Sequence, residues 1–294
     1  MKISLNRNHE GFFGKTQTTV LKGVCILLVF IHHFAQFTEY HRFFSFFNAI
    51  GPAAVDIFFF IAGYTTILKL EKTAPSDYNS FLPNRALRLY FPFILINITN
   101  DNFTVGLIFL YIASWIAYKF LKPQHRLKFI FLMNMFYIIL LLFIKKYDSW
   151  WYDRIIPYSY GAFFALHKNK VISFLENPKW RRSLMIISIP IFIFCGYHLA
   201  TMEPIVPVKF ALLSIFTCVF VLTFNYEFNF ECKSLNFIGE ISFEIFLLHQ
   251  PLFNLLNTFI GSNYLLLIVS FVLTIILSYC LHLVWNKLIK RFIK

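Results

Sequence analysis

The sequence predicts an all-α, polytopic integral membrane helical bundle with about ten transmembrane helices, and three observations predict it. Hydrophobic residues make up 58% of the 294-residue chain and charged residues only 14%, with 40 phenylalanines. Ordinary soluble domains carry roughly 25% charged residues, so lipid has to cover much of this apolar surface. The apolar residues are gathered into runs near the length of about 20 residues that a helix needs to cross the hydrocarbon core. The formal charge of +13 lies between those runs rather than along one face, a pattern of membrane topology and not of nucleic-acid binding.

Spans are expected near 17–37, 50–70, 82–98, 103–121, 126–144, 155–167, 182–199, 207–224, 237–258 and 263–286. The sixth is short enough to be re-entrant or buried among its neighbours. Residues 1–16 form an expected cytoplasmic N-terminal segment, 17–286 the transmembrane domain and 287–294 a cytoplasmic tail. With the N-terminus inside, only Arg42, Lys145, Lys146, Arg154 and Lys209 of the 27 Lys and Arg fall outside the cytoplasmic segments. The positive-inside rule thus supports ten spans with both ends cytoplasmic, in the cytoplasmic (inner) membrane as the expected location. The five cysteines are scattered without CxxC or metal-like spacing, so neither a disulfide framework nor a metal site is expected. The first apolar run is long, carries His32 and His33, and lacks a small-residue cleavage site, unlike a signal peptide.

Ionisable residues within spans are costly, about 2.5–3.5 kcal/mol for a central Lys, Arg or Asp on insertion scales, and mark functional candidates. In the first span Lys22 and His33 are separated by three turns plus about 20°, which puts them on one face about 17 Å apart. Lys22 is either a ligand-binding cation or a topology anchor, and the histidines either catalytic or interhelical hydrogen-bond donors. Asp56, in the outer half of the second span, requires a partner, and a first-span histidine is the nearest in sequence. A structural ion pair is the other reading. Arg85 and Arg88 share a face at the inner end of the third span, where two guanidiniums beside Lys22 suit a polyphosphate or serve as positive-inside anchors. His249 in the ninth span reaches about the depth of His33, with Ser242 on its face, while Glu244 is directed elsewhere, toward an arginine of the third span. Outside, Trp151, Arg154 and Tyr158 belong to an aromatic stretch that reads as an interfacial belt or as a sugar-stacking platform.

Four motifs then occur in a telling order. Leu21-Lys22-Gly23 with His33, Val55-Asp56-Ile57-Phe58-Phe59-Phe60-Ile61-Ala62-Gly63, Arg85-Ala86-Leu87-Arg88-Leu89-Tyr90-Phe91-Pro92, and Ile241-Ser242-Phe243 with His249-Gln250-Pro251 together resemble acyltransferase family three. Those proteins are membrane O-acyltransferases that modify bacterial glycans and other small acceptors. The resemblance covers about residues 17–286. Lysine stands at 22 where arginine is commoner, Ala54 and Ala62 replace glycine and serine, and Glu244 has no counterpart.

The resemblance implies acyl-CoA, acetyl-CoA by default, as co-substrate, with no permanently bound cofactor and no metal, and a hydroxyl of a cell-surface or lipid-linked glycan as acceptor. Lys22, Arg85 and Arg88 would hold the CoA phosphates and His33 would act as general base, its tautomer set by Asp56. His249 would protonate the leaving thiolate or orient the acceptor, and Trp151, Arg154 and Tyr158 would meet the sugar. The lipid bilayer is the third expected partner. Mid-membrane histidines and an aspartate also build proton relays, so a proton-coupled transporter or flippase is the alternative class.

Overall fold

The computed structural model describes residues 2–5, 12–37, 41–85, 102–144, 154–200, 206–261 and 264–292. The described residues are helical almost throughout. Strand β1 (Lys2–Leu5) precedes α1 (Lys15–Phe37) and α2 (His41–Lys72), and a 3-10 turn (Pro75–Asp77) then leads into α3, helical over 78–85. There follow α4 (Asn102–Phe120), α5 (Pro123–Ile144), α6 (Ile156–Leu166), α7 (Lys168–Glu176), α8 (Pro178–Ala200) and α9 (Val206–Glu227). Strand β2 (Phe228–Glu231), α10 (Lys233–Glu240), α11 (Ser242–Ile260) and α12 (Tyr264–Phe292) complete the order.

Among the described residues, four stretches are long and apolar enough to cross a membrane: Lys15–Ala35, Ile50–Lys72, Pro123–Phe143 and Tyr264–Ile289. They coincide with the first, second, fifth and tenth expected spans. Shorter apolar helices, Thr104–Phe120 and Leu213–Glu227, match parts of the fourth and eighth. The third expected span lies mostly outside the described residues. The long helices divide by burial: about 61% of the apolar window is buried in α1 and α2, against 22% in α5 and α12. Phe136, Ile139 and Phe143 on α5, with Ile268, Val272 and Ile276 on α12, are exposed apolar residues of the kind lipid covers.

Two expected spans take a different form. At 11 residues, α6 rises only about 16 Å, about half of the hydrocarbon core, and its Pro157, Tyr158, Ser159, Gly161, Ala162 and Phe164 are buried. It lies against α2 through a reciprocal glycine contact. A Cβ on Gly63 would strike the Tyr158 carbonyl, and one on Gly161 the Phe60 carbonyl. The bare backbones allow the close approach seen where small residues line membrane helix crossings. The ninth span is broken at Ile241, so that α10 and α11 are separate helices. Again glycines explain the arrangement: Gly23 of α1 abuts Leu235 of α10, and Gly239 of α10 abuts Thr19 of α1. Because α10 is pressed onto α1 in this way, α11 starts afresh beside it.

The N-terminal segment departs from the all-helical expectation. β1 pairs antiparallel with β2, in register from Lys2 with Glu231 to Leu5 with Phe228. Beyond it, Phe12 and Phe13 are buried in the main core beside Phe60, Tyr64, Phe164 and Tyr226. Residues expected to form a cytoplasmic lead-in therefore supply part of the packing.

Candidate active site

A cleft of about 850 Å³ opens between α1, α2, α4 and α11. Its lining along α2 runs from Lys72 to Phe58, a depth of about 21 Å by helical rise. Among the described residues six cations line it: Lys15 and Lys22 from α1, Lys69 and Lys72 from α2, Arg85 from α3, and Lys168 at the start of α7. Among the described residues no carboxylate lines it. Glu240 and Glu244 lie within electrostatic range of Lys22 from outside the lining, and Lys15 and Arg85 do so from within it. Deeper in, Phe58, Ile61, Ala62, Leu107 and Phe246 make the walls apolar. Such a site suits a ligand with an anionic head and a slender, less polar tail.

Individual side chains hold the mouth in shape. The Arg85 guanidinium lies over the rings of Phe81 and Tyr111, 5.6 and 5.0 Å from their centroids. These cation–π contacts fix its plane without occupying its hydrogen-bond donors. Lys168 donates to the Phe12 carbonyl at 2.7 Å and to the Tyr64 hydroxyl at 3.0 Å. Burial first, and then the nearby Lys72 charge, hold its ammonium below the ordinary lysine range. Phe13 sits at φ 53°, in the left-handed region that a bulky residue occupies only when its surroundings compel it. Its N–H donates to Gln17 Oε1 at 2.6 Å, and its ring is locked against Phe60 and Tyr64. Both Phe13 and Gly14 line the cleft, so the segment before α1 is part of the wall.

One turn beyond Phe246 on α11, the histidines meet. The rings of His33 and His249 lie 4.9 Å apart, and His32 is 5.0 Å from His33. His249 is buried, with Nδ1 2.7 Å from the Phe246 carbonyl and 3.1 Å from that of Ile245. Carbonyls only accept, so Nδ1 carries the proton and Nε2 keeps its lone pair. That Nε2 is buried and has no hydrogen-bond partner among the described residues. Beside it, the Gln250 carboxamide reaches His33 Nδ1 at 3.0 Å and can serve either tautomer by turning its oxygen or nitrogen toward the ring. Phe30 and Phe253 enclose the pair on the apolar side.

The structure thus brings Lys22 and Arg85 to one cleft and His33 and His249 to one cluster. Arg88 and Trp151 lie outside the described residues. Asp56 has a different setting from the one expected: it is fully buried, 3.4 Å from Arg154 Nη1, and accepts from the Ser214 hydroxyl at 3.0 Å. The Gln250 carboxamide lies at His33 Nδ1. Arg154, expected on a sugar platform, is that partner of Asp56. Tyr158, expected there too, is fully buried and shares a 2.8 Å hydrogen bond with Ser114. Its ring is turned toward α4, 6.1 Å from that of Tyr111, and is no surface platform. Glu244, expected to neutralise a third-span arginine, pairs with His282 of α12 at 2.7 Å. Among the described residues no group of three or more metal-ligating side chains converges.

Sequence reasoning missed Lys168, Tyr111, Gln250 and Phe246 as site residues. Lys168 reads as one more topology cation, and Gln250 is visible only as a spacer between His249 and Pro251.

Helices of membrane-crossing length around a basic cleft and a histidine pair, His249 buried and His33 half-buried, define a helical membrane protein with a ligand site sunk between its helices. The acyltransferase 3 family model, an acyltransferase domain, matches residues 18–106 and 103–283, and the chain belongs to that family. No curated protein and no solved structure matches it significantly.

Proposed function

We propose that this acyltransferase moves an acyl group, acetyl by default, from cytoplasmic acyl-CoA to a hydroxyl of a cell-surface or lipid-linked glycan. In this reading it spans the inner membrane about ten times with both ends cytoplasmic. The supporting observation is the course of α11, which lines the basic cleft with Ser242, Phe243 and Phe246 and places His249 one turn deeper. A donor held by its phosphates at Lys22, Arg85 and Lys168 has its thioester directed toward the histidines. His33 takes the acceptor's proton as the hydroxyl oxygen bonds the acyl carbon, the C–S bond breaks, and the thiolate is protonated. Gln250 positions the His33 ring, and the lone pair on His249 Nε2 gives the proton a second station. Asp56 serves the fold through Arg154.

Membranes supplied with radiolabelled acetyl-CoA and candidate glycans test this. Acyl incorporation is expected to drop about 10²–10⁴-fold in His33→Ala, the usual range for removing a general base, and comparably in His249→Ala. Full transfer by His33→Ala defeats the assignment. Glycan flux without acylation points to the transporter class instead.

A further inference from the structure

The cleft and the histidine pair are neighbours, but His249 does not line the cleft. Phe246 stands between them. It is part of the lining, and its ring centroid is 5.7 Å from that of His249. Its own carbonyl takes the His249 Nδ1–H at 2.7 Å, so the residue that closes the cleft floor also orients the histidine behind it. Behind that ring, the Nε2 of His249 is buried with no hydrogen-bond partner among the described residues. A basic nitrogen kept dry behind one aromatic side chain calls for a movable barrier.

We infer that Phe246 is a gate between the donor cleft and the histidines, and that it restricts the donor to short acyl groups. The inference rests on the acyl-CoA reading above. A side-chain rotation about χ1 is enough to open the floor, because the carbonyl that holds His249 belongs to the helix backbone and stays put. With the gate closed, water in the cleft does not meet Nε2. With it open only around a seated thioester, the acyl group occupies the space the ring vacates, and a longer chain collides with the walls formed by Phe58 and Ile61. Closed active sites suppress hydrolysis of reactive groups in this way. If the ring is removed, water reaches the pair. His249 Nε2 then takes a proton from water as its oxygen bonds the acyl carbon, the C–S bond breaks, and the proton passes to the departing thiolate. The products are the free carboxylic acid and CoA.

The test uses the purified full chain in detergent, with Phe246→Ala and the milder Phe246→Leu. CoA binding is measured first, and turnover of acetyl-CoA and hexanoyl-CoA is then followed with and without acceptor. Phe246→Ala should raise the hexanoyl-to-acetyl preference at least about 10-fold, since a methylene in an apolar pocket is worth 10–200-fold. It should also hydrolyse acetyl-CoA without acceptor several times faster than the wild type, while CoA affinity stays within about threefold. Phe246→Leu should fall between, and it carries the test alone if the alanine variant does not fold. Variants that bind CoA yet keep the wild-type chain preference and hydrolysis rate overturn the gate while leaving the donor reading intact. A wild type that binds no CoA defeats the donor reading, and the gate with it.

Discussion

The two ends of the apolar stretch Ile50–Lys72 of α2 treat charge in opposite ways. Around Lys69 and Lys72, six cations face one cleft, and no carboxylate among the described residues lines it. Near the other end Asp56 is fully buried, with Arg154 3.4 Å away and Ser214 donating a hydrogen bond. An ion pair closed inside the protein contributes its attraction to the fold and leaves little for a ligand. Cations gathered without lining carboxylates raise the potential of a cleft and are suited to recruiting an anion. The comparison separates structure from binding within one helix, and it makes mutations at the two ends diverge in what they change.

The largest effect is expected at the closed end. Removing one partner of a buried pair leaves the other charge uncompensated, at a cost of about 3–5 kcal/mol. Asp56→Ala should therefore lower the thermal stability of the detergent-solubilised protein sharply, and Asp56→Ala with Arg154→Leu should recover much of the loss. A double variant no more stable than the single one would show that Asp56 acts through something other than Arg154, and the contrast between the two ends would weaken.

At the open end the loss should appear in binding far more than in the fold. Lys22→Ala with Arg85→Ala removes two charge-assisted contacts to phosphate. The Kd for CoA should rise on the order of 100-fold, about 3 kcal/mol at 1.4 kcal/mol per decade. Stability should fall far less than at Asp56, by about 1 kcal/mol, because these cations meet no lining carboxylate and Arg85 gives up only its contacts with the Phe81 and Tyr111 rings. Wild-type CoA affinity should also weaken with added salt, as exposed charges are screened beyond about 10 Å at 0.1 M, while stability from the buried Asp56 pair should respond far less. Unchanged affinity in the double variant would remove the cleft from donor binding.

Much of this contrast was legible in the residues themselves. Lys22, Arg85, His33 and His249 could be chosen because each is expensive in an apolar run, and the structure groups them in pairs as helical phase and depth suggested. Helical phase also linked Ser242 to the His249 face. Partners across helices were not legible, since periodicity gives a face but not the neighbour that meets it. Asp56 could be seen to need a cation, yet Arg154 is 98 residues away and looked like an interfacial anchor. The brevity of α6 was visible, but its burial on α2 depends on Gly63 and Gly161 meeting, which neither sequence stretch announces alone. The packing of the N-terminal segment was not legible either, because Phe12 and Phe13 are too short an apolar run to register as an element.

The smallest effect belongs to Lys168, which joins that segment to the open end. It donates to Phe12 and Tyr64 while also facing the cleft, so it is partly structural and partly available. Lys168→Met deletes both hydrogen bonds and should cost about 1–2 kcal/mol of stability, with a modest rise in the Kd for CoA. Its pH signature separates it from the other cations. Because burial and Lys72 hold the folded pKa below the unfolded value of 10.5, the unfolded chain binds more protons between the two. The Lys168 contribution therefore makes stability rise with pH across the window just below 10.5, after which both states are deprotonated. The difference in stability between wild type and Lys168→Met, followed by thermal unfolding from pH 8 to 10.5, should grow in favour of the wild type. A difference that stays flat would mean that Lys168 is a solvated cation, and that the N-terminal segment is held by Phe12 and Phe13 without it.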